Sequence, residues 1–567
     1  MAILSQKFKS ARDEKYRPVS HPYHWDCVNF WVNAQTTQKR RLIMSSMYKK
    51  VGVASLIMMT SVFLSRLTGL IREQVIAYIG GISGGVDAYQ VAFIIPEILN
   101  HIVASGFLSV TFIPIFSHYL VQNKEEEGWR VFSLILTGFG SILLLLILIA
   151  CIFARGFVEI LAPGLDDPIL IERAVRMTRI IIPAQFFFFS GGMLMAVQFA
   201  KEKFFIPALS PLIYNLGIIC GGLLLGTRIG MEGFSWGVLG GAFMGNFMVQ
   251  VWGAKKVGMR FTINFDFRHP DLWLYLRVTL PLMVGLTMSF STEFLFRFFG
   301  SYLPRGSIAG LNYGLRTMFM LVGFFGQAVG MASFPFMARL AAENKIHEMN
   351  RLLNDTLRYL ALVVPFSILI LVLRQETVVI LFQRGRFDAA ATALTSQVLV
   401  FLMIGAFAFA AQTIVVRGYY AIQNTLFPAL YGTAAVLLSI PLYMVGMLKM
   451  GAGGIALAIS LSAIFQVTLL YVLWNKKSEN KDSLRVYRFY LRTILLSIPL
   501  GLFLEFFKGT VLSGFDSTTL GGSLAVSMLT ALVFVVIVVS AGYLLGVAEI
   551  KELLSRILKK IKKYAGK

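Results

Sequence analysis

The sequence predicts an all-α polytopic membrane protein of 14 transmembrane helices, built as two six-helix lobes in parallel repeat plus two extra C-terminal helices. Three observations carry this. Apolar stretches near the ~20 residues that a spanning helix needs recur from about Lys50 to Gly546. Hydrophobic residues fill 57% of 567 positions and charged ones only 14%, against about 25% charged in a soluble domain. Short motifs also return at a fixed offset of 221 residues.

Gly, Pro and charge breaks place the spans near 48–79, 86–121, 128–162, 169–200, 204–227, 233–254, 271–301, 306–342, 347–382, 388–420, 425–447, 451–474, 486–507 and 520–546. Loop charge supports that count. Alternate loops carry Lys201 and Lys203, then Lys255, Lys256, Arg260 and Arg268, then Arg339, Lys345 and Arg351, then Lys476, Lys477 and Lys481. The intervening loops mostly hold one cation each, and the exceptions are Arg155 with Arg173 and Arg384 with Arg386. The cation-rich side is the cytoplasmic one, so both termini are expected there. The net charge of +23 follows from these loops, and no nucleic-acid partner is expected.

Phe112-Ile113-Pro114 matches Phe334-Pro335, and Ile206-Pro207-Ala208-Leu209 matches Phe427-Pro428-Ala429-Leu430, both at the 221-residue offset. Six spans fit inside that offset, so the copies keep one orientation and a site is expected between them near mid-membrane. The expected organisation is a polar, unstructured extension over 1–47, an N-lobe over 48–255 and a C-lobe over 270–475. Two non-repeat spans then fill 484–546, and a basic amphipathic helix resting on the anionic inner leaflet fills 547–567. Met44 or Met47 would make a natural start.

Ions within apolar helices cost at least about 2.5–3.5 kcal/mol each, so their positions point to function. Ser65, Arg66, Arg72 and Glu73 lie in the first span and Arg316 in the eighth. Arg66 and Arg72 stand about 120° apart on an ideal helix, and a bend at Gly69 would turn both into one cavity. Either arginine alone could instead snorkel or pair with Glu73 and Asp87. Guanidinium groups bind oxygen pairs and stay charged when desolvated, which suits a phosphate-bearing cargo. Glu97 and Glu293 are read as charge balance or a cation site, and pairing with a nearby arginine is an equal alternative. Arg297 is read as snorkelling. Gly80 to Gly85 reads as a tight hairpin, with Asp87 capping the second span.

Cys27, Cys151 and Cys220 lack metal spacing, and no Ser/His/Asp, HExxH or phosphate-loop pattern is present. A carrier, not an enzyme, is expected. No cofactor is expected, and a coupling cation or the membrane potential would supply the drive.

The run from Ala54 through Ser65-Arg66, Gly69 and Arg72-Glu73, then Asp87-Ala88 and Phe93-Ile94-Ile95-Pro96, resembles the opening of the MurJ/MviN family. These are bacterial lipid II flippases of the multidrug/oligosaccharidyl-lipid/polysaccharide exporter superfamily. The likeness continues through Tyr313-Gly314-Leu315-Arg316, Leu381-Phe382-Gln383-Arg384-Gly385 and Gly418-Tyr419-Tyr420-Ala421. It implies a 14-helix carrier in the bacterial cytoplasmic (inner) membrane with a cationic cavity. Its cargo would be lipid II, the undecaprenyl-pyrophosphate-linked disaccharide-pentapeptide, moved to the outer leaflet by alternating access. Membrane lipids and cell-wall synthesis proteins are the implied partners, and the last two helices would hold the lipid tail. Ser65, Arg66, Arg72 and Arg316 would form the pyrophosphate site, with Glu73, Asp87, Glu97 and Glu293 in charge balance or gating. The chain departs from the family at Glu97, Asn100 and Ser105, where an Asn, an arginine and a glutamate are usual, and at Leu315. A flippase for another polyprenyl-linked glycan is the alternative.

Overall fold

The computed structural model describes residues 25–100, 107–266, 268–285 and 287–544, and all of their regular structure is helical. Ten of the described helices are long and apolar enough to cross a bilayer. One of them, Leu426–Ser478, holds both the eleventh and twelfth expected spans, joined at Gly451 with φ 57°. The described parts of the second, sixth and seventh expected spans are helical too, in shorter pieces such as Met231–Gly241, a π-helical turn Ala242–Met248 and Val249–Lys256. Large apolar side chains such as Leu144, Leu224, Leu438, Leu496 and Val536 stay exposed, which in a helical bundle marks a lipid-facing surface.

The repeat is written into the backbone. Left-handed residues pair as Asn123 with Asn344, Glu202 with Gln423, Gly230 with Gly451 and Gly258 with Glu479. Every pair is 221 residues apart, and so are the helix starts Pro168 and Ala389, and Phe205 and Leu426. Such residues close helices by turning the chain where a right-handed conformation cannot continue. Four coincidences at one offset establish two copies of one skeleton.

Two expected spans are too long for the same reason in each copy. The third ends at Phe153 and the ninth at Leu373, where short helices Ala154–Leu161 and Arg374–Phe382 begin. Arg155 with Glu159, and Arg374 with Glu376, are charges that periodicity alone swept into the spans. A further correction concerns residues 25–47, which are helical within α1 (Trp25–Gly80) and not unstructured. That stretch contains neither Gly nor Pro to stop a helix. The extension before residue 25 and the basic tail 547–567 lie outside the described residues.

Close helix packing follows small residues. Gly217 and Gly221 face Gly237 and Gly241, with the added Cβ of Gly221 falling 2.5 Å from the Gly237 Cα. Only hydrogen fits there, which is how helices gain contact area within a bilayer. The two last helices attach to the second copy. Ser483–Thr510 packs on Ile346–Leu360 and Val363–Val372, and Leu520–Leu544 packs on Arg374–Phe382.

Five shorter elements position the site. They are α2 (Gly84–Ala92), α3 (Ile94–Leu99), α4 (Phe205–Ile229), α5 (Thr287–Gly300) and α6 (Ser307–Val322). The first copy supplies α2 to α4 and the second α5 and α6. Packing of α2 on α6 and of α3 on α5 joins the copies.

Candidate functional site: a charged cavity between the two halves

On α1, Arg72 donates from Nη2 to Glu73 Oε1 at 2.6 Å and from Nη1 to Asn215 Oδ1 of α4 at 3.1 Å. The Asn215 amide in turn donates to the Ser65 carbonyl at 3.2 Å, so it fixes Arg72 against its own helix. Glu73 is buried, and its second oxygen accepts from Asn312 Nδ2 of α6 at 3.4 Å. This carboxylate therefore links the halves.

A second chain of charges comes from the other half. Arg316 Nη1 lies 3.5 Å from Glu293 Oε1, and Arg297 Nη2 donates to Glu293 Oε2 at 3.3 Å. Arg297 also takes both oxygens of Glu97 on α3, one of them at 3.1 Å. Its side chain is 1% exposed. A guanidinium so deeply buried survives only if its charge is matched and its donors are used. Two carboxylates do that here.

These groups converge on one cavity of about 250 Å³, lined by Arg72, Glu73, Glu97, Asn100, Arg297 and Arg316 among others. Tyr89, Gln185 and Tyr214 add polar tips to an otherwise apolar wall. With Glu293 counted, three arginines face three glutamates. Arg316 is the least committed of them. Its side chain is 33% exposed, and among the described residues its one ion pair is long and its buried Nε has no hydrogen-bond partner. An anion entering the cavity would find that guanidinium with donors to spare.

The geometry sorts the sequence expectations. Arg72 and Arg316 both line the cavity, from opposite halves. Arg66 does not join them in lining the cavity, although α1 runs as continuous helix through both residues. Arg66 instead donates to the Gly323 carbonyl at 3.3 Å and to the Gln327 side chain. Arg297, read as snorkelling, is buried at the centre of the charge cluster. Its partner Glu97 lies 200 residues away in sequence, so nothing local could have revealed it. Asn215 was missed for the same reason. Asn100 lines the cavity, while Ser105 lies outside the described residues.

Asp87 corrects another expectation. It does not cap its own helix, since its carboxylate accepts from the backbone N–H groups of Gly306 and of Ala309, the latter at 2.8 Å. It thus caps α6 of the opposite half, where a helix N-terminus leaves N–H groups unpaired. Around it the halves seal. Tyr313 donates to the Gly81 carbonyl at 3.2 Å, Arg386 N donates to the Tyr78 carbonyl at 2.9 Å, and Arg305 pairs with Asp167 at 2.8 Å. Gly81 and Gly306 have φ of 59° and 90°, and a Cβ on either would strike backbone of the facing half.

Fold and site together define a class: a polytopic two-lobe carrier whose central cavity is charged and closed at one end. Comparison with known proteins makes this specific. A family model described as lipid II flippase MurJ matches residues 76–521, and the chain belongs to that family. Ser65, Arg66, Arg72 and Glu73 fall just before the matched stretch. A probable lipid II flippase MurJ from Buchnera aphidicola subsp. Baizongia pistaciae is 28% identical over 457 residues, covering 80% of this chain and 88% of the relative. The lipid II flippase MurJ of Burkholderia cenocepacia is 26% identical over 439 residues, covering 76% and 85%. A probable lipid II flippase MurJ of Thermotoga maritima is 26% identical over 496 residues, covering 87% and 96%. Among solved structures, a lipid II flippase MurJ in an inward closed conformation aligns with TM-score 0.70 at 23% identity, over 86% of this chain and 99% of that one. An inward-facing multidrug resistance transporter of the MATE family aligns with TM-score 0.61 at 12% identity, over 75% and 95%. Both likenesses concern the fold.

Proposed function

We propose that this chain moves lipid II from the inner to the outer leaflet of a bacterial cytoplasmic membrane by alternating access, with both termini cytoplasmic. The observation that carries the reading is the meeting of Arg72 and Arg316, from opposite halves, in one buried cavity of a member of the lipid II flippase family. The diphosphate of the cargo would exchange for Glu293 on Arg316 and sit against Arg72. Each guanidinium offers a bidentate face to phosphate oxygens. Arg297, locked by Glu97 and Glu293, would keep Glu293 in place and set the field of the cavity. The polyprenyl tail would stay in lipid beside Ser483–Thr510 and Leu520–Leu544.

With the orientation that the loop charges favour, the sealed end would be the outer one and the structure would correspond to a state closed to the outside. Asp87 would then be the latch of that gate, released when the halves rock apart. An inside-negative potential favours outward movement of each cargo charge by about 2.3 kcal/mol per 100 mV. Rescue of cells depleted of their own lipid II flippase tests the assignment, together with flipping of labelled lipid II in vesicles. Failure in both, with export of a different polyprenyl-linked glycan, would replace lipid II by that cargo.

A further inference from the structure

Two arginine pairs break the charge rule that orients the chain, Arg155 with Arg173 and Arg384 with Arg386. Cations on the side expected to face outward work against insertion. The fold brings one member of each pair together at the sealed end. A basin of about 650 Å³ is lined by Arg173, Arg176, Arg228 and Arg386. An adjoining hollow of about 330 Å³ shares Arg173 and Arg386 and adds Arg305.

The carboxylates there are few and occupied. Glu172 and Glu232 both pair with Arg176 at 3.3 Å, and Asp167 pairs with Arg305 at 2.8 Å. Arg173, Arg228 and Arg386 have no ion pair among the described residues. Five guanidinium groups therefore face three acids. The hollow's lining includes Gly85 and Gly230, where an added Cβ would meet nothing closer than 3.6 Å, which leaves room for bulky oxygens close to the backbone. The first turns of α2 and of Met231–Gly241 open onto it, and helix N-termini attract anions.

We propose that this basin binds a phosphate-bearing anion and, by doing so, holds the gate shut. Arg173, Arg176 and Arg228 come from the first half, and Arg305 and Arg386 from the second. Arg386 stays in the basin because its backbone N–H is bonded to Tyr78 across the seal. Parting of the halves would pull the cations apart, so an anion bridging them binds the sealed state better and shifts the population toward it. Phosphate fits because it presents several charged oxygens to forked donors. The source is either free phosphate or the headgroup of a lipid in the facing leaflet. Binding rests on this geometry alone, and the outward placement rests on the orientation proposed above.

The test uses the full-length chain in detergent with inorganic pyrophosphate as probe, read by calorimetry and by the melting temperature. Binding with a raised melting temperature is expected, weakened about tenfold by Arg173→Gln and about a hundredfold by R173Q with R386Q. All three substituted arginines are exposed, so the unliganded melting temperature should match that of the parent, with Arg228→Gln as an independent third variant. Arg316→Gln should remove only the separate binding event expected in the central cavity and leave the basin's binding intact. Loss of binding in Arg316→Gln but not in the basin variants would place the anion in the central cavity and overturn the basin, without touching the flippase reading. Competition by vesicles of phosphatidylglycerol, but not of phosphatidylcholine, would identify a lipid headgroup as the source, and its lack would identify free phosphate. Equal pyrophosphate binding by parent and double variant would defeat the proposal.

Discussion

Residues 72 and 293 are equivalent in the two halves, 221 positions apart, yet one is arginine and the other glutamate. The skeletons around them agree down to the left-handed turns at Gly230 and Gly451. Backbone has been kept in duplicate while the cavity-facing charges have diverged. Arg72 is held within the first half by Glu73 and Asn215. Glu293 instead bridges Arg297 and Arg316 of the second half, and Arg297 reaches back to Glu97. A symmetric fold thus carries an asymmetric site, with one well-tethered guanidinium and one loosely held. The skeleton answers to stability and the charges to cargo.

The largest effect should come from breaking the charge asymmetry. Arg72→Gln or Arg316→Gln removes a charged contact worth about 2–3 kcal/mol to an anion, so flipping should fall about 30- to 160-fold in vesicles. Glu97→Gln leaves a buried guanidinium short of one partner. Stability should drop by about 3 kcal/mol, read by thermal melting in detergent, and Glu97→Leu with Arg297→Met should recover much of that loss. Asp87→Asn weakens the seal without touching the cavity. One of the two hydrogen bonds becomes a neutral one and the other is lost, because an amide has a single acceptor oxygen and its NH2 would face a backbone N–H. The cost is about 2–3 kcal/mol, and cysteine cross-linking between positions 82 and 307 should fall accordingly. Sharpening the other side of the comparison, Gly230→Ala and Gly451→Ala meet no atom within 4 Å. Each should lose about 1–3 kcal/mol from backbone strain alone, because φ near +60° with ψ near −135° is a region that glycine alone enters readily, and the two losses should match. The smallest effect belongs to Arg66→Gln, whose partners are a carbonyl and an amide. A change of about threefold or less in flipping is expected.

Much of this architecture was legible in the sequence because bilayer spans are long, apolar and punctuated. The 221-residue repeat showed through prolines and their flanks, before any left-handed turn was visible. Arg72 and Arg316 were legible too, since a charge inside an apolar run stands out by its cost. Partners were not. Glu97 and Arg297 look like separate anomalies until α3 and α5 are packed together, and Asp87 looks like a cap for the helix it sits on until α6 arrives. Helix phase was readable, but whether Gly69 bends was not.

Transport by the proposed route requires Arg72 and Arg316 to grip one anionic headgroup together. Flipping of fluorescent lipid II into the outer leaflet of proteoliposomes, compared between the parent chain and the Arg72→Gln, Arg316→Gln double variant at matched protein incorporation, addresses that most directly. Near-complete loss of flipping in the double variant, with Arg66→Gln close to the parent, is the predicted result. A double variant that flips at the parental rate would contradict it.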